Sequence, residues 1–280
     1  MEKKKKVVTT LLAIGISLLV FLLVFLLCSL PILQTTYHTI ETKKVNDEIK
    51  IVVLADFHSS QYGKNQSDLV NEIKAQNPDL ILMPGDIVDD VRDKKPCTVL
   101  FNQLKTVAPM YYIYGNHEMK WNVKQEITDF LLSFGVNIVN NTYLDVKVKN
   151  TTLRIFGLQD PQDKIPPDTW LKAINVFSNQ VDDKYAILLS HRPTFVEEYK
   201  KTNFDLILCG HAHGGQWRFP WSEQGIFCSD EGLFPKYTSG RFNLGNPTML
   251  VSRGLCKNFV PRFFNRPEIL SVTIKPQNAK

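Results

Sequence analysis

Five of the six histidines in this 280-residue chain fall in short clusters with Asp, Asn, Ser or Gly, each closing an apolar run. The clusters are Asp56-Phe57-His58, Gly85-Asp86, Gly115-Asn116-His117-Glu118, Ser190-His191 and Gly210-His211-Ala212-His213. Carboxylate, imidazole and amide oxygen together suit divalent ions such as Mn, Fe or Zn. The ends of strands are also where an α/β sheet gathers its ligands. The pattern points to one metal-centred site.

Each cluster alone has an ordinary reading. Asp56 and His58 stand two apart, so strand alternation directs both to one side, but polar residues are common at strand ends. An Asp after Gly, as in Gly85-Asp86, is often a turn residue or helix cap. Gly115-Asn116-His117-Glu118 is more specific: the glycine permits a tight turn, the Asn carbonyl can ligate, and His117 is left to move protons. Glu118 reads as a helix-start or supporting residue. The pair His211 and His213, flanked by glycines that allow close approach, is poorly explained as buried structural histidine.

In order and spacing the five clusters resemble the calcineurin-like metallophosphoesterase family, whose pattern is D-x-H, G-D, G-N-H-E/D, H and G-H-x-H. The match spans residues 56 to 213 with all five blocks intact. The resemblance implies an α/β fold, a four-layer α/β/β/α sandwich, holding two divalent metal ions. It assigns Asp56, His58, Asp86 and His213 to one ion and Asp86, Asn116, His191 and His211 to the other, with Asp86 as the bridge. Two such ions can clamp phosphate oxygens and activate water for in-line attack on phosphorus. His117, no ligand in the family, is then expected to orient phosphate and protonate the leaving oxygen. Gly232-Leu233-Phe234-Pro235-Lys236-Tyr237 and Ser252-Arg253-Gly254-Leu255 resemble segments of the family's membrane-associated branch. That branch includes enzymes resembling UDP-2,3-diacylglucosamine pyrophosphatase. Cys256 stands where Gly is common in the second segment.

The elements that must position these residues alternate. Ile49–Ala55, Leu80–Met83 and Met110–Tyr114 read as strands, with helices at Ser67–Gln76, Cys97–Thr106 and Val123–Phe134. Val136–Val139, Tyr143–Val148 and Leu153–Phe156 follow closely and suggest a hairpin-rich second sheet. Tyr185–Leu189, a short helix at Thr194–Lys200, Phe204–Cys209 and a closing strand at Leu270–Ile274 complete the pattern.

Ahead of the body, Val7 to Leu30 is apolar, and no Asp, Glu, Lys or Arg occurs between Lys6 and Glu41. As a helix the stretch reaches roughly 36 Å, enough to cross a hydrocarbon core of about 30 Å. It exceeds a usual signal core and lacks the small residues of a cleavage site. The expected organisation is a basic tip and transmembrane anchor at 1–33, a polar linker at 34–48 and a catalytic domain at 49–280. Four lysines before the span favour a cytoplasmic N-terminus and an extracytoplasmic body.

The net charge is +5, of which Lys3 to Lys6 with Glu2 supply +3. A mildly basic body with no long basic stripe does not select nucleic acid as partner. The expected substrate is a phosphate ester, lipid-linked if the aromatic residues between Trp217 and Phe242 form an apolar rim instead of packing on the sandwich. Among the basic residues, Arg192 and Arg253 are the candidate substrate contacts, with Arg218 and Lys236 nearby; exposure to solvent is the ordinary role of each. A nuclease or nucleotide phosphodiesterase is the alternative enzyme, and a scaffold without catalysis the alternative class. The cysteines are irregularly spaced; a Cys228 to Cys256 bridge is conceivable.

Overall fold

A computed structural model describes residues 2–120, 124–162, 167–257 and 260–277. Helix α1 (Glu2–Ser29) precedes β1 (Gln34–Thr42), β2 (Ile49–Val53), α2 (Ser67–Ala75), β3 (Leu80–Met83), α3 (Lys95–Leu104), β4 (Met110–Tyr112) and α4 (Lys124–Leu132). The chain continues through β5 (Asn137–Ile138), β6 (Thr142–Val148), β7 (Thr151–Leu158), α5 (Asp168–Ser178), β8 (Tyr185–Ser190), α6 (Val196–Tyr199) and β9 (Leu206–Cys209). Two short strands, β10 (Phe227–Cys228) and β11 (Gly232–Leu233), form a separate hairpin before β12 (Gly240–Asn243), β13 (Thr248–Val251) and β14 (Glu268–Pro276). The helix expected from Val123 begins at Lys124, Val123 itself lying outside the described residues.

Two six-stranded sheets stack face to face, ordered β1-β14-β2-β3-β4-β5 and β12-β13-β9-β8-β7-β6. Three apolar seams hold four layers together. The first joins the outer face of the first sheet to its helices: Leu69, Val70 and Ile73 of α2 and Cys97, Leu100, Phe101 and Leu104 of α3 recur at helical spacing and pack there. The second lies between the sheets, where Ile51, Val53 and Leu82 face Ile155, Ile187 and Leu208. The third seats Trp170, Ile174 and Phe177 of α5 on Phe156, Leu188 and Ile207. Strands buried on both faces become the continuous apolar runs β3, β8 and β9. The expected α/β/β/α sandwich is the architecture observed.

Three expectations change. The second sheet is not hairpin-rich: β7, β8, β9 and β13 run parallel, because α5 and α6 carry the chain back between strands, and only the edges β6 and β12 are antiparallel. The segment at Val136–Val139 gives β5 to the first sheet, parallel to β4. Residues 34–42, expected within a polar linker, form edge strand β1, parallel to β14 from Gln34 opposite Glu268 to Thr42 opposite Pro276. An edge strand keeps one side in water, so its polarity hid it.

Helix α1 is long and apolar enough to cross a membrane, and none of its residues is buried. Its end touches the body. Phe25 meets Phe263 with ring centroids 4.2 Å apart, and the Phe264 N–H donates to the Cys28 carbonyl at 3.3 Å.

Candidate metal centre

The loops leaving the carboxyl ends of β2, β3, β4, β8 and β9 meet at one point. Asp56 and His58 follow β2, Asp86 follows β3, Asn116 and His117 follow β4, His191 follows β8, and His211 and His213 follow β9. The chain must reverse sharply there. Asp56, His58, Asp86, His211 and His213 all adopt left-handed φ, between 45° and 68°. Such conformations cost roughly 1–3 kcal/mol each and persist only where the surroundings enforce them. Here the His58 N–H donates to the Asp86 carbonyl at 3.1 Å, and the His211 N–H donates to both Asp56 carboxylate oxygens at 2.9 and 3.0 Å.

Gly115 serves clearance more than turning. A Cβ there would lie 2.2 Å from Asp86 Oδ1, and φ at Gly115 is not positive. The Asp86 carboxylate needs that space.

Among the described residues four groups could hold a cation, their ligand atoms within 4.8 Å of one another, and two of them share Asp86: Asp56, His58 and Asp86, and Asp86, His191 and His211. Asp86 is common to both. Its Oδ2 lies 3.6 Å from His58 Nε2 and 3.2 Å from His191 Nε2. Asn116 Oδ1 lies 3.1 Å from His191 Nε2, and His213 Nε2 lies 3.8 Å from Asp56 Oδ1.

The histidines are held by one nitrogen and aimed by the other. His58 Nδ1 rests 3.2 Å from Asp89, His191 Nδ1 donates to the Pro84 carbonyl at 2.8 Å, and His211 Nε2 lies 2.8 Å from Asp230. Metal-binding imidazoles are oriented this way. The inward atom His58 Nε2 is buried without a hydrogen-bond partner. Buried polar atoms rarely stay unpaired. An electron pair directed into a cluster of carboxylates is what a divalent cation would take, so the residues fit the expected ions.

Electrostatics agree. Burial works to raise the Asp86 carboxyl, but His191, hydrogen-bonded to it, with His58 and His117, holds it well below the usual carboxylate range. Burial raises Asp56, against the pull of His191. Burial likewise opposes charge on His191, yet Asp86 and Asp56 outweigh it and carry the imidazole up to about 10.

His117 stands outside this group, its ring edge-on to His58 at 4.5 Å. Its Nδ1 lies 2.6 Å from Asp90 and its backbone N–H donates to Asp86 Oδ1 at 3.0 Å. Glu118 has the supporting place expected of it: its carboxylate accepts the N–H groups of Asp86, Val88 and Gly115, each at 3.0 Å, tying two ligand loops together.

Arg192 and Arg253 are not brought together. Arg192 is buried, and its guanidinium donates to Asp160 at 2.7 and 3.2 Å, reaches Asp230, and lies 3.3 Å from His211 Nε2. Arg253 faces a different cavity, near α1. The ordinary expectation of solvent exposure fails for Arg192 and Arg218, both buried, and holds for Lys236. Cys228 and Cys256 form no disulfide.

Sequence reasoning missed Asp89 and Asp230, which hold His58 and His211, Asp90, which holds His117, Asp160, which holds Arg192, and the thiol of Cys256, close to His58 and His213. Only Asp89 and Asp90 carried a signal, as carboxylates following Gly85-Asp86 by a few residues.

The histidine pair also borders an apolar cavity of about 340 Å³ lined by Trp217, Phe227, Cys228 and Val260. The aromatic run divides. Tyr237 and Phe242 pack on the sandwich, whereas Phe219, Trp221, Phe227 and Phe234 are exposed.

Comparison with known proteins is consistent with this geometry. The family described as calcineurin-like phosphoesterase matches residues 49–215. The chain is similar to the uncharacterized metallophosphoesterase YkuE of Bacillus subtilis, 28% identical over 88% of this chain and 87% of that one. It is also similar to phosphodiesterase YaeI of Escherichia coli, 27% identical over 79% of this chain and 80% of that one. Among solved structures, sulfate thiohydrolase SoxB of Thermus thermophilus superposes with a TM-score of 0.50 at 11% identity, covering 82% of this chain and 57% of that one, which speaks to the fold alone.

Proposed function

This chain belongs to the calcineurin-like phosphoesterase family, and from that premise we propose that it is a membrane-anchored hydrolase of phosphodiester or pyrophosphate bonds in a lipid-linked or cell-envelope precursor. Metal-dependent phosphoesterase chemistry follows from the family and the two cation-binding groups. The observation that carries the finer reading is the apolar cavity touching His211 and His213 on the side where aromatic residues stand exposed and α1 ends. A substrate with a phosphate at the centre and a hydrocarbon or isoprenoid arm matches both surfaces.

In this reading Asp56, His58, Asp86 and His213 hold one ion, and Asp86, Asn116, His191 and His211 the other. Ions bound there would supply charge neutralisation at the phosphate and an activated water. His117, held at Nδ1 by Asp90, presents Nε2 to the leaving oxygen and gives it a proton. Arg192 acts through its grip on Asp160 and Asp230 to set the plane of His211; Arg253 contacts an anionic part of the substrate or of the membrane. The apolar length of α1 supports assignment to a membrane-associated branch, and the lysines before it support an extracytoplasmic body.

The test is metal analysis of the purified chain coupled to hydrolysis assays on phosphomonoester, phosphodiester, nucleotide and lipid pyrophosphate substrates, with Mn, Fe or Zn supplied. Two ions per chain and preference for the lipid substrate are expected, with Asp86→Ala losing both ions. Equal turnover of nucleotide and lipid substrates would remove the lipid assignment, and full turnover after exhaustive chelation would remove the two-metal mechanism.

A further inference from the structure

A second cavity, of about 360 Å³, lies where α1 meets the body and shares no lining residue with the apolar cavity beside the histidines. Arg218, Arg253 and Arg266 line it with the end of α1, and among its described lining residues Glu223 is the one carboxylate. The segment after His213 separates the two spaces. Trp217 lines the first and bridges to Phe263, while Arg218 and Phe219 line the second.

The charges here are held at a cost. The Arg218 side chain is 2% exposed, and burial together with the neighbouring Arg253 lowers its pKa. Nε of Arg253 is buried without a hydrogen-bond partner. Glu223 answers both guanidiniums, 2.8 Å from Arg218 and 3.5 Å from Arg253, yet its side chain is 85% exposed. Buried Glu268 adds a second carboxylate 3.6 Å from Arg253 Nε, so among the described residues two carboxylates face the three arginines and one positive charge is left unanswered. A multiply bonded, planar-fork recognition of a phosphate would satisfy them better.

Position identifies the source of that phosphate. Leu27 and Cys28, the last turn of the apolar helix, form one wall. Lipid headgroups occupy the few ångströms just beyond the hydrocarbon core. Phe264 adds apolar surface, and Phe219 stacks on Trp221 with centroids 5.4 Å apart, an aromatic pair suited to the membrane interface.

We propose that this cavity binds the phosphate of an anionic phospholipid headgroup and thereby fixes the body on the bilayer, apart from the catalytic centre. The proposal rests on the reading of α1 as a membrane anchor. Glu223 then acts as a placeholder that swings into water when the lipid arrives.

The test uses the full-length chain in detergent, stripped of lipid and titrated with dioleoylphosphatidylglycerol or dioleoylphosphatidylcholine, bound lipid being counted by native mass spectrometry. One phosphatidylglycerol per chain should be retained in preference to phosphatidylcholine. Arg266→Gln should weaken its retention by about fivefold, the weight of one basic residue near an anionic surface. Glu223→Gln should strengthen it to a similar degree; both residues are exposed, so neither change threatens folding. Equal retention of the two lipids, or no response to either substitution, would overturn the site while leaving the anchor intact. Displacement of phosphatidylglycerol by excess inorganic phosphate would show a free-anion site instead. A chain recovered from cells without membrane would overturn the anchor and the lipid site together.

Discussion

At the scale of single residues, the site works by holding the imidazoles of His58, His117, His191 and His211 at one nitrogen and presenting the other. For His117 the holder is Asp90 and the presented atom is Nε2. His117→Ala should therefore retain two ions per chain while losing about 10² to 10⁴ in turnover, the range for general acid catalysis. The loss should shrink for a nitrophenolate leaving group, which needs no proton. Steady-state kinetics on matched aryl and alkyl esters, beside metal analysis, check this; an equal loss on both would favour phosphate positioning. His191 predicts a pH dependence. Its folded pKa, about 10, lies above the ordinary 6.5, so its protonated form stabilises the metal-free fold. That contribution is fully present below pH 6.5 and is lost as pH rises through about 10. Thermal unfolding of the metal-stripped chain should show a melting temperature falling across this window. Metal affinity should rise across it, because a ligating imidazole must release its proton.

At the scale of elements, the strands that end at the site were legible because β-branched and apolar runs such as Ile49–Val53 and Leu206–Cys209 are stopped by the ligand residues themselves. Helices α2 and α3 declared themselves by apolar spacing. Strand β1 did not, since at the edge of a sheet it shows water a polar face and owes its structure to β14, more than 200 residues away in the chain. A body beginning at residue 33 should fold, whereas one beginning at residue 44 removes β1 and bares the edge of β14. The shorter form should melt at lower temperature and self-associate, measured by thermal unfolding and size-exclusion chromatography. Identical behaviour of the two would show β1 to be dispensable.

At the scale of the whole molecule, the end of α1 meets Phe263, which pairs with Trp217, a residue lining the cavity beside His211 and His213. With the lysines of the N-terminal tip retained inside, the body should be cut by protease added to intact protoplasts or spheroplasts. Protection until lysis would refute that orientation, and a mature chain starting near Gln34 would show that the helix is removed. The sequence alone determined the candidate ligand residues, the strand ends that carry them and the apolar span, because these are written in residue type and short-range spacing. The tertiary structure alone decided which carboxylates orient the ligands, that Arg192 is enclosed while Arg253 faces another cavity, and which aromatics stay in water. Those outcomes depend on contacts such as Asp56 with the His211 backbone, 155 positions apart, and long-range packing leaves no periodic mark in the chain that makes it.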